Sequence, residues 1–61
     1  MNVVRIEFRD GTHHSIENAQ LDVARSYNGT PVEYVVTFKG GHVRVPASSV
    51  NMVGSEEKPD A

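Results

Sequence analysis

The 61-residue sequence contains no cysteine and no tryptophan. Without cysteine the chain has no disulfide framework, no thiolate nucleophile and no cysteine ligand for a structural zinc ion. No apolar run approaches the roughly 20 residues that a membrane-spanning helix requires. The N-terminal residues lack the basic region and long apolar stretch of a secretion signal. These absences predict a cytoplasmic protein without a membrane segment.

The short length of the chain limits the core that it can bury. Sixty-one residues form a single domain near the lower limit at which one core is stable alone. The net charge is −2, and residues 55–61 account for it, so residues 1–54 are electrically balanced. We expect one β domain over residues 1–54 and a disordered acidic tail over residues 55–61.

The first third of the chain predicts a β-hairpin. Val4, Ile6 and Phe8 alternate with charged residues, which places them on one face of a strand. Asp10-Gly11 follows directly, and this dipeptide between alternating segments is a strong hairpin signal. We therefore expect the chain to turn back into a second strand.

Residues 15–27 have two interpretations. Ser15 can cap a helix, because apolar residues as far as Tyr27 recur at helical spacing. The alternation of residues 19–23 instead predicts a strand, which requires a bend near Asn18. The hairpin at Asp10-Gly11 leaves little room for a helix, so we favour strands. The alternative is a β-α-β-β-β arrangement with a helix at about residues 15–27.

The second half of the chain predicts three further strands. Asn28-Gly29 is a turn, and β-branched and aromatic residues dominate residues 32–39, as a half-buried strand requires. Gly40-Gly41 leads into an alternating segment that Pro46 ends, because proline removes a backbone donor. The small residues 47–49 suit a one-turn 3-10 corner before a last short strand.

The closing pattern Gly41-x-Val43-x-Val45-Pro46-x-Ser48-x-Val50-x-x-Val53 resembles the small barrels of the SH3-like and Sm-like type. The resemblance implies an all-β fold, either a small five-stranded SH3-like barrel or a strongly bent antiparallel sheet. The body also looks like short β-proteins encoded by phages and other mobile elements. Such a resemblance supports a fold and carries little information about activity.

The residue types of catalysis and metal binding are present without a working arrangement. His13 and His14 are adjacent, so on a regular strand they point to opposite faces. A closed zinc site needs further donors beyond these histidines and His42. Asp10 and Ser15 lie too close along one hairpin to assemble a hydrolase triad. We therefore predict no enzyme, no catalytic or metal-binding residue, no cofactor and no small-molecule substrate.

Two binding functions remain as hypotheses. The first is an interaction module that binds a protein partner or forms a homo-oligomer, with Val35, Thr37 and Tyr27 at the interface. An accessory role for a phage or mobile element would suit it. The second is an Sm-like RNA- or DNA-binding barrel with a basic stripe, although the neutral body lacks the overall positive charge of such proteins. The residues of that stripe would be Arg5, Arg9, Lys39, His42 and Arg44.

Overall fold

The computed structural model describes residues 1–59, and most of them form antiparallel β-strands. The predicted all-β class and the 3-10 corner are confirmed, and the alternative helix at residues 15–27 is wrong, because two strands occupy that segment. The elements in chain order are β1 (Asn2–Phe8), β2 (His13–Glu17), β3 (Gln20–Arg25), β4 (Pro31–Phe38), β5 (Gly41–Pro46), the 3-10 turn η1 (Ala47–Ser49) and β6 (Val50–Glu57).

The described strands form two three-stranded sheets that enclose a small core. One sheet has the order β2-β1-β6 and the other has the order β3-β4-β5. Val4 and Val36, one from the central strand of each sheet, are completely buried. The other members of the buried cluster are Ile6, Ala19 and Val50, and partly buried residues packed against it include Phe8, Ile16, Leu21, Tyr34, Phe38, Val45 and Val53.

A bend at Asn18 divides the predicted second strand into β2 and β3, so six strands are present where five were expected. Asn18 has a φ of 54°, a left-handed conformation that asparagine tolerates better than most residues. The bend is held by Asn2, whose side-chain Nδ2 donates to the Ala19 carbonyl at 2.5 Å. The bend lets one continuous segment contribute an edge strand to both sheets.

Two hairpin turns share one geometry. In residues 8–12 and in residues 26–30 the N–H of the first residue donates to the carbonyl of the fifth. The N–H of the fourth residue, a glycine, donates to the carbonyl of the first. Gly11 and Gly29 have φ values of 94° and 89°, which L side chains rarely adopt. The predicted turns at Asp-Gly and Asn-Gly are thus confirmed.

The C-terminal strand extends further than the sequence predicted. β6 continues to Glu57, and its last residues pair with the start of β1, Asn2 with Glu57 and Val3 with Glu56. The structure therefore corrects the expected disordered tail for residues 55–57, because the length of β1 offers them backbone partners. Asp60 and Ala61 of that tail lie outside the described residues. Within residues 1–59 no helix has the length and apolar character to cross a membrane.

Candidate functional site: an exposed hairpin tip and an apolar end

The tip of the β3–β4 hairpin presents an isolated aromatic side chain. Tyr27 is fully exposed, at 105% relative accessibility, in the turn formed by residues 26–30. That turn is closed by hydrogen bonds from the Ser26 N–H to the Thr30 carbonyl and from the Gly29 N–H to the Ser26 carbonyl, each at 2.9 Å. The tip is therefore an ordered backbone that carries a tyrosine without intramolecular packing.

Side chains support the same turn. The Oδ1 of Asn28 accepts hydrogen bonds from the Thr30 N–H at 3.1 Å and from the Ser26 hydroxyl. The guanidinium of Arg25 donates to the Gly29 carbonyl at 2.9 Å. With its neighbours bonded to one another, the Tyr27 backbone is fixed before any partner arrives.

The inner face of the β3-β4-β5 sheet is covered by the other sheet over only part of its length. Val23 pairs with Tyr34, and Tyr34 pairs with Val45, across the three strands. These three side chains are half-buried, whereas Val32, two residues before Tyr34, is 56% exposed and Val43 is 40% exposed. Val43 pairs with the buried Val36, so it lies on the other side of Tyr34 from Val32, and its exposure belongs to the edge strand β5. We call Val23, Val32, Tyr34 and Val45 the apolar end.

The three predicted interface residues do not lie together. Tyr27 is at the hairpin tip, whereas Val35 and Thr37 lie on the outer face of the β3-β4-β5 sheet. Val35 is half-buried between its cross-strand neighbours Asp22 and Arg44, and Thr37 is exposed. Flanked by two charged residues, Val35 offers little continuous apolar surface.

The five predicted nucleic-acid-binding residues are distributed over two sheets. Arg5 lies on the outer face of the β2-β1-β6 sheet, between Ser15 and Gly54. Arg44 lies on the outer face of the other sheet, with its Nη1 3.7 Å from the Glu33 carboxylate, and His42 is two residues before it. Arg9 is in the β1–β2 turn and Lys39 is in the β4–β5 turn. Arg5 and Arg44 therefore belong to different surfaces.

A shallow groove of about 290 Å³ lies on the outer face around Arg5. Gly54 and Ser15, the cross-strand neighbours of Arg5, are small, and Met52 is 62% exposed at one side. The charged groups that line the groove are of both signs: Arg5, Glu7, Glu56 and Lys58. The balance of these charges favours no particular class of ligand.

The polar residues near the first hairpin are engaged in structural contacts. The Oδ1 of Asp10 accepts the Thr12 hydroxyl at 2.6 Å and the Thr12 N–H at 2.9 Å. These hydrogen bonds lower the pKa of Asp10 because they stabilise the ionised carboxylate. The hydrogen bond from the Thr12 hydroxyl has the larger effect, and the one from the Thr12 N–H follows. The His14 ring meets the Phe8 ring edge to face, with their centroids 5.8 Å apart.

His13 and His14 lie on opposite faces of β2, as the two-residue period of a strand requires. In the β1–β2 register His14 pairs with Ile6, whose side chain is in the core, and His13 pairs with Glu7 on the outer face. Within residues 1–59 no three histidine or acidic side chains gather in a way that could hold a metal ion.

The sequence pattern did not predict that Val32 and Val43 are exposed. Both follow the inward phase that the alternation predicts, and both strands are where they were expected. Alternation identifies the face of a side chain and contains no information on how far a second sheet extends over it. The position of Val32 directly after Pro31, at the end of the hairpin, is the available signal that it lies beyond the covered region.

No protein-family model, curated protein or solved structure matches the chain significantly. The resemblance to SH3-like and Sm-like barrels therefore stays a prediction, and the argument for function rests on the surfaces described above.

Proposed function

We propose that the chain is a non-enzymatic interaction module that binds a protein partner through the tip of its β3–β4 hairpin. The observation that carries the proposal is the complete exposure of Tyr27 on a turn closed by its own hydrogen bonds. Tyrosine is enriched among the residues that dominate binding energy at protein interfaces. It provides a large contact area at a low cost in side-chain entropy.

The geometry of the tip favours a partner with a pocket for one aromatic ring. Because the turn is already ordered, binding requires little further loss of backbone freedom. Tyr27 would insert its apolar ring, and the phenol group requires a hydrogen-bonding atom at the far end of the pocket. Val32, exposed on the adjoining strand, would extend the apolar contact toward the body of the domain.

The arrangement of reactive side chains supports a binding role over a catalytic one. His13 and Ser15 lie on the outer face of β2, whereas His14 lies on the inner side against Phe8. Asp10 is bonded to Thr12 within its own turn. An acid, a base and a nucleophile need a shared point at which a reacting atom can sit, and Asp10, His14 and Ser15 do not converge on one.

The distribution of basic residues supports the nucleic-acid hypothesis less well. Arg44 is within ion-pair distance of Glu33, and Arg5 belongs to the opposite sheet. Single-strand binding also relies on exposed aromatic rings beside a basic groove; Tyr27 is exposed, but it lies at the tip and away from Arg5. Titration of the protein with short single-stranded RNA and DNA at several salt concentrations tests this alternative. Tight binding that weakens steeply with salt would replace the proposal.

The proposal is tested by recovery of partners from the native cells and by titration of the partner that is found. Tagged wild-type chain, Tyr27→Ser and Met52→Ser are compared; Met52 is 62% exposed on the other sheet and serves as the matched control. A protein recovered with the wild type and Met52→Ser is purified and titrated calorimetrically. We expect Tyr27→Ser to weaken its affinity at least about tenfold, or about 1.4 kcal/mol. Equal affinity of the wild type and Tyr27→Ser would overturn the proposal.

A further inference from the structure

The two glycine-containing hairpin turns hold different side chains at the same position. Asp10 and Asn28 are each the third residue of a five-residue turn, followed by a glycine and then by a threonine. In both turns the Oδ1 of the third residue accepts the backbone N–H of the threonine, at 2.9 Å in the first turn and at 3.1 Å in the second. The first turn thus shows how a carboxylate fits at the position that Asn28 occupies in the second.

Asn28 is the asparagine of this chain with the least hindered neighbour. The backbone nitrogen that follows an asparagine can attack the side-chain Cγ, and glycine, which has no Cβ, permits the closest approach. Asn28 precedes Gly29, whereas Asn2, Asn18 and Asn51 precede valine, alanine and methionine. Asn28 and Gly29 are exposed to water, and no atom lies within 4 Å of the position that a Cβ of Gly29 would take. The hairpin tip therefore offers both the nucleophile and the space that cyclisation requires.

The hydrogen bonds of the closed turn restrain both reacting groups. The N–H of Gly29 donates to the Ser26 carbonyl at 2.9 Å. The side-chain amide of Asn28 is held at its Oδ1 by the Thr30 N–H and the Ser26 hydroxyl. For ring closure the Gly29 nitrogen has to give up its proton and approach the Asn28 Cγ, so its hydrogen bond to Ser26 has to break. The turn must open locally before the reaction, and loops open at a low cost in free energy.

We propose that the tip of the β3–β4 hairpin is a self-modification site, at which Asn28 loses ammonia and becomes an acidic residue. The Gly29 nitrogen forms a bond to the Asn28 Cγ, and the side-chain nitrogen takes up the displaced proton and leaves as ammonia. Water then opens the resulting succinimide ring. Cleavage between Cγ and the Gly29 nitrogen gives aspartate, whereas cleavage at the backbone carbonyl gives isoaspartate, whose main chain contains one more methylene group.

The aspartate product fits the turn because Asp10 already occupies the equivalent position. The Asp10 carboxylate accepts the N–H and the hydroxyl of Thr12, at 2.9 Å and 2.6 Å. A carboxylate at position 28 can accept the Thr30 N–H in the same way, with the added strength of a charged acceptor. The isoaspartate product lengthens the main chain between Ser26 and Thr30, so it should break the hydrogen bond that closes the turn.

Peptide mapping by mass spectrometry tests the site in the full chain, incubated at mildly alkaline pH in its folded state and unfolded in urea. We expect an acid in place of the amide at Asn28 and an unchanged Asn51, which is also exposed but precedes Met52. The folded chain should convert about ten- to a hundredfold more slowly than the unfolded chain, which corresponds to about 1.4–2.8 kcal/mol of local opening. Equal rates in the two states, or a folded chain in which Asn28 stays an amide, would overturn the inference.

Two variants complete the test. Asn28→Gln is the matched control for the chemistry, because attack on its longer side chain would have to close a larger ring, so its mass should stay unchanged in both states. Asn28→Asp represents the product, and its unfolding midpoint in urea at neutral pH should equal or exceed that of the wild type. A lower midpoint would contradict the fit of the carboxylate to the turn.

The conversion adds a negative charge beside Tyr27, so its effect on partner affinity rests on the proposed function, whereas the conversion itself does not. All of these measurements are made without a partner. Conversion of Asn28 in a chain whose partner binding ignores Tyr27 would leave only the modification site. Tyr27-dependent binding by a chain whose Asn28 stays an amide would leave only the proposed function.

Discussion

Asn2 and Ala19 are 17 positions apart and exchange two hydrogen bonds. The Ala19 N–H donates to the Asn2 carbonyl at 3.1 Å, and the Asn2 side-chain Nδ2 donates to the Ala19 carbonyl at 2.5 Å. The Oδ1 of Asn2 accepts a third hydrogen bond from the Ser55 hydroxyl at 2.9 Å. One amide group thus joins the start of β1, the bend between β2 and β3, and the end of β6.

Asn2→Ala should destabilise the fold by about 1–2 kcal/mol. The substitution removes two side-chain hydrogen bonds, each with a net contribution of about 0.5–1.5 kcal/mol, and leaves the Ala19 carbonyl without its side-chain donor. Urea denaturation measures the change in the free energy of unfolding. Asn51→Ala, at an exposed position of β6, is the control and should alter stability by no more than about 0.5 kcal/mol. Equal effects of the two substitutions would show that Asn2 does not hold the bend.

Phe38→Asp and Thr37→Asp should differ strongly in effect, because the side chains lie on opposite faces of β4. Phe38 packs against the buried cluster, so a charge there should cost about 3 kcal/mol or more and unfold much of the population. Thr37 is exposed, so the same aspartate should cost about 1 kcal/mol or less. Thermal denaturation by circular dichroism distinguishes them. If both variants melt like the wild type, the inner face of β4 has been misassigned.

Acidification should weaken the first hairpin through Asp10. Hydrogen bonds from the Thr12 hydroxyl and N–H lower the pKa of the folded-state carboxylate. Its contribution is therefore fully present above the unfolded pKa of about 4 and is lost as pH falls through the lower folded value. The free energy of unfolding, measured by denaturation at a series of pH values, should decline over this acid range.

Asp10→Asn should flatten that acid decline, since an amide does not titrate and still presents an Oδ1 to Thr12. Asn28 shows the same arrangement in the second turn, where its Oδ1 accepts the Thr30 N–H. Thr12→Val, which removes the hydroxyl donor, should flatten the decline as well. An unchanged acid slope in both variants would assign the pH dependence to other groups.

Gly54→Thr should stabilise the domain by up to about 1 kcal/mol. Gly54 is in the interior of β6, where glycine has an entropic cost and threonine favours the strand. No atom lies within 4 Å of the position that a Cβ would take, so the larger side chain has room. Gly29→Thr is the opposite case, because its φ of 89° should make the substitution cost about 1–2 kcal/mol. Urea denaturation of both variants checks the contrast, and a destabilised Gly54→Thr would contradict it.

The strands and turns of this protein follow from local sequence. Alternation at residues 4–8 and 32–38 fixes which side chains face inward, because the side-chain period of a strand is two residues. Asp10-Gly11 and Asn28-Gly29 fix the two hairpins, because a glycine can adopt the positive φ that each turn requires. Pro46 and the small residues after it likewise predict the corner at η1. These features depend on neighbouring residues alone.

The surfaces depend on tertiary contacts that no local pattern contains. The polar sequence of residues 55–57 predicted a disordered tail, whereas in the structure these residues pair with β1, which is long enough to reach them. The inward phase of Val32 was predictable, whereas its exposure of 56% reflects how far the opposite sheet reaches. Arg5 and Arg44 were each expected outward, and only the division into two sheets places them on different faces. Periodicity sets the direction of a side chain, but burial depends on residues distant in sequence, and those contacts decide which surface is free to bind.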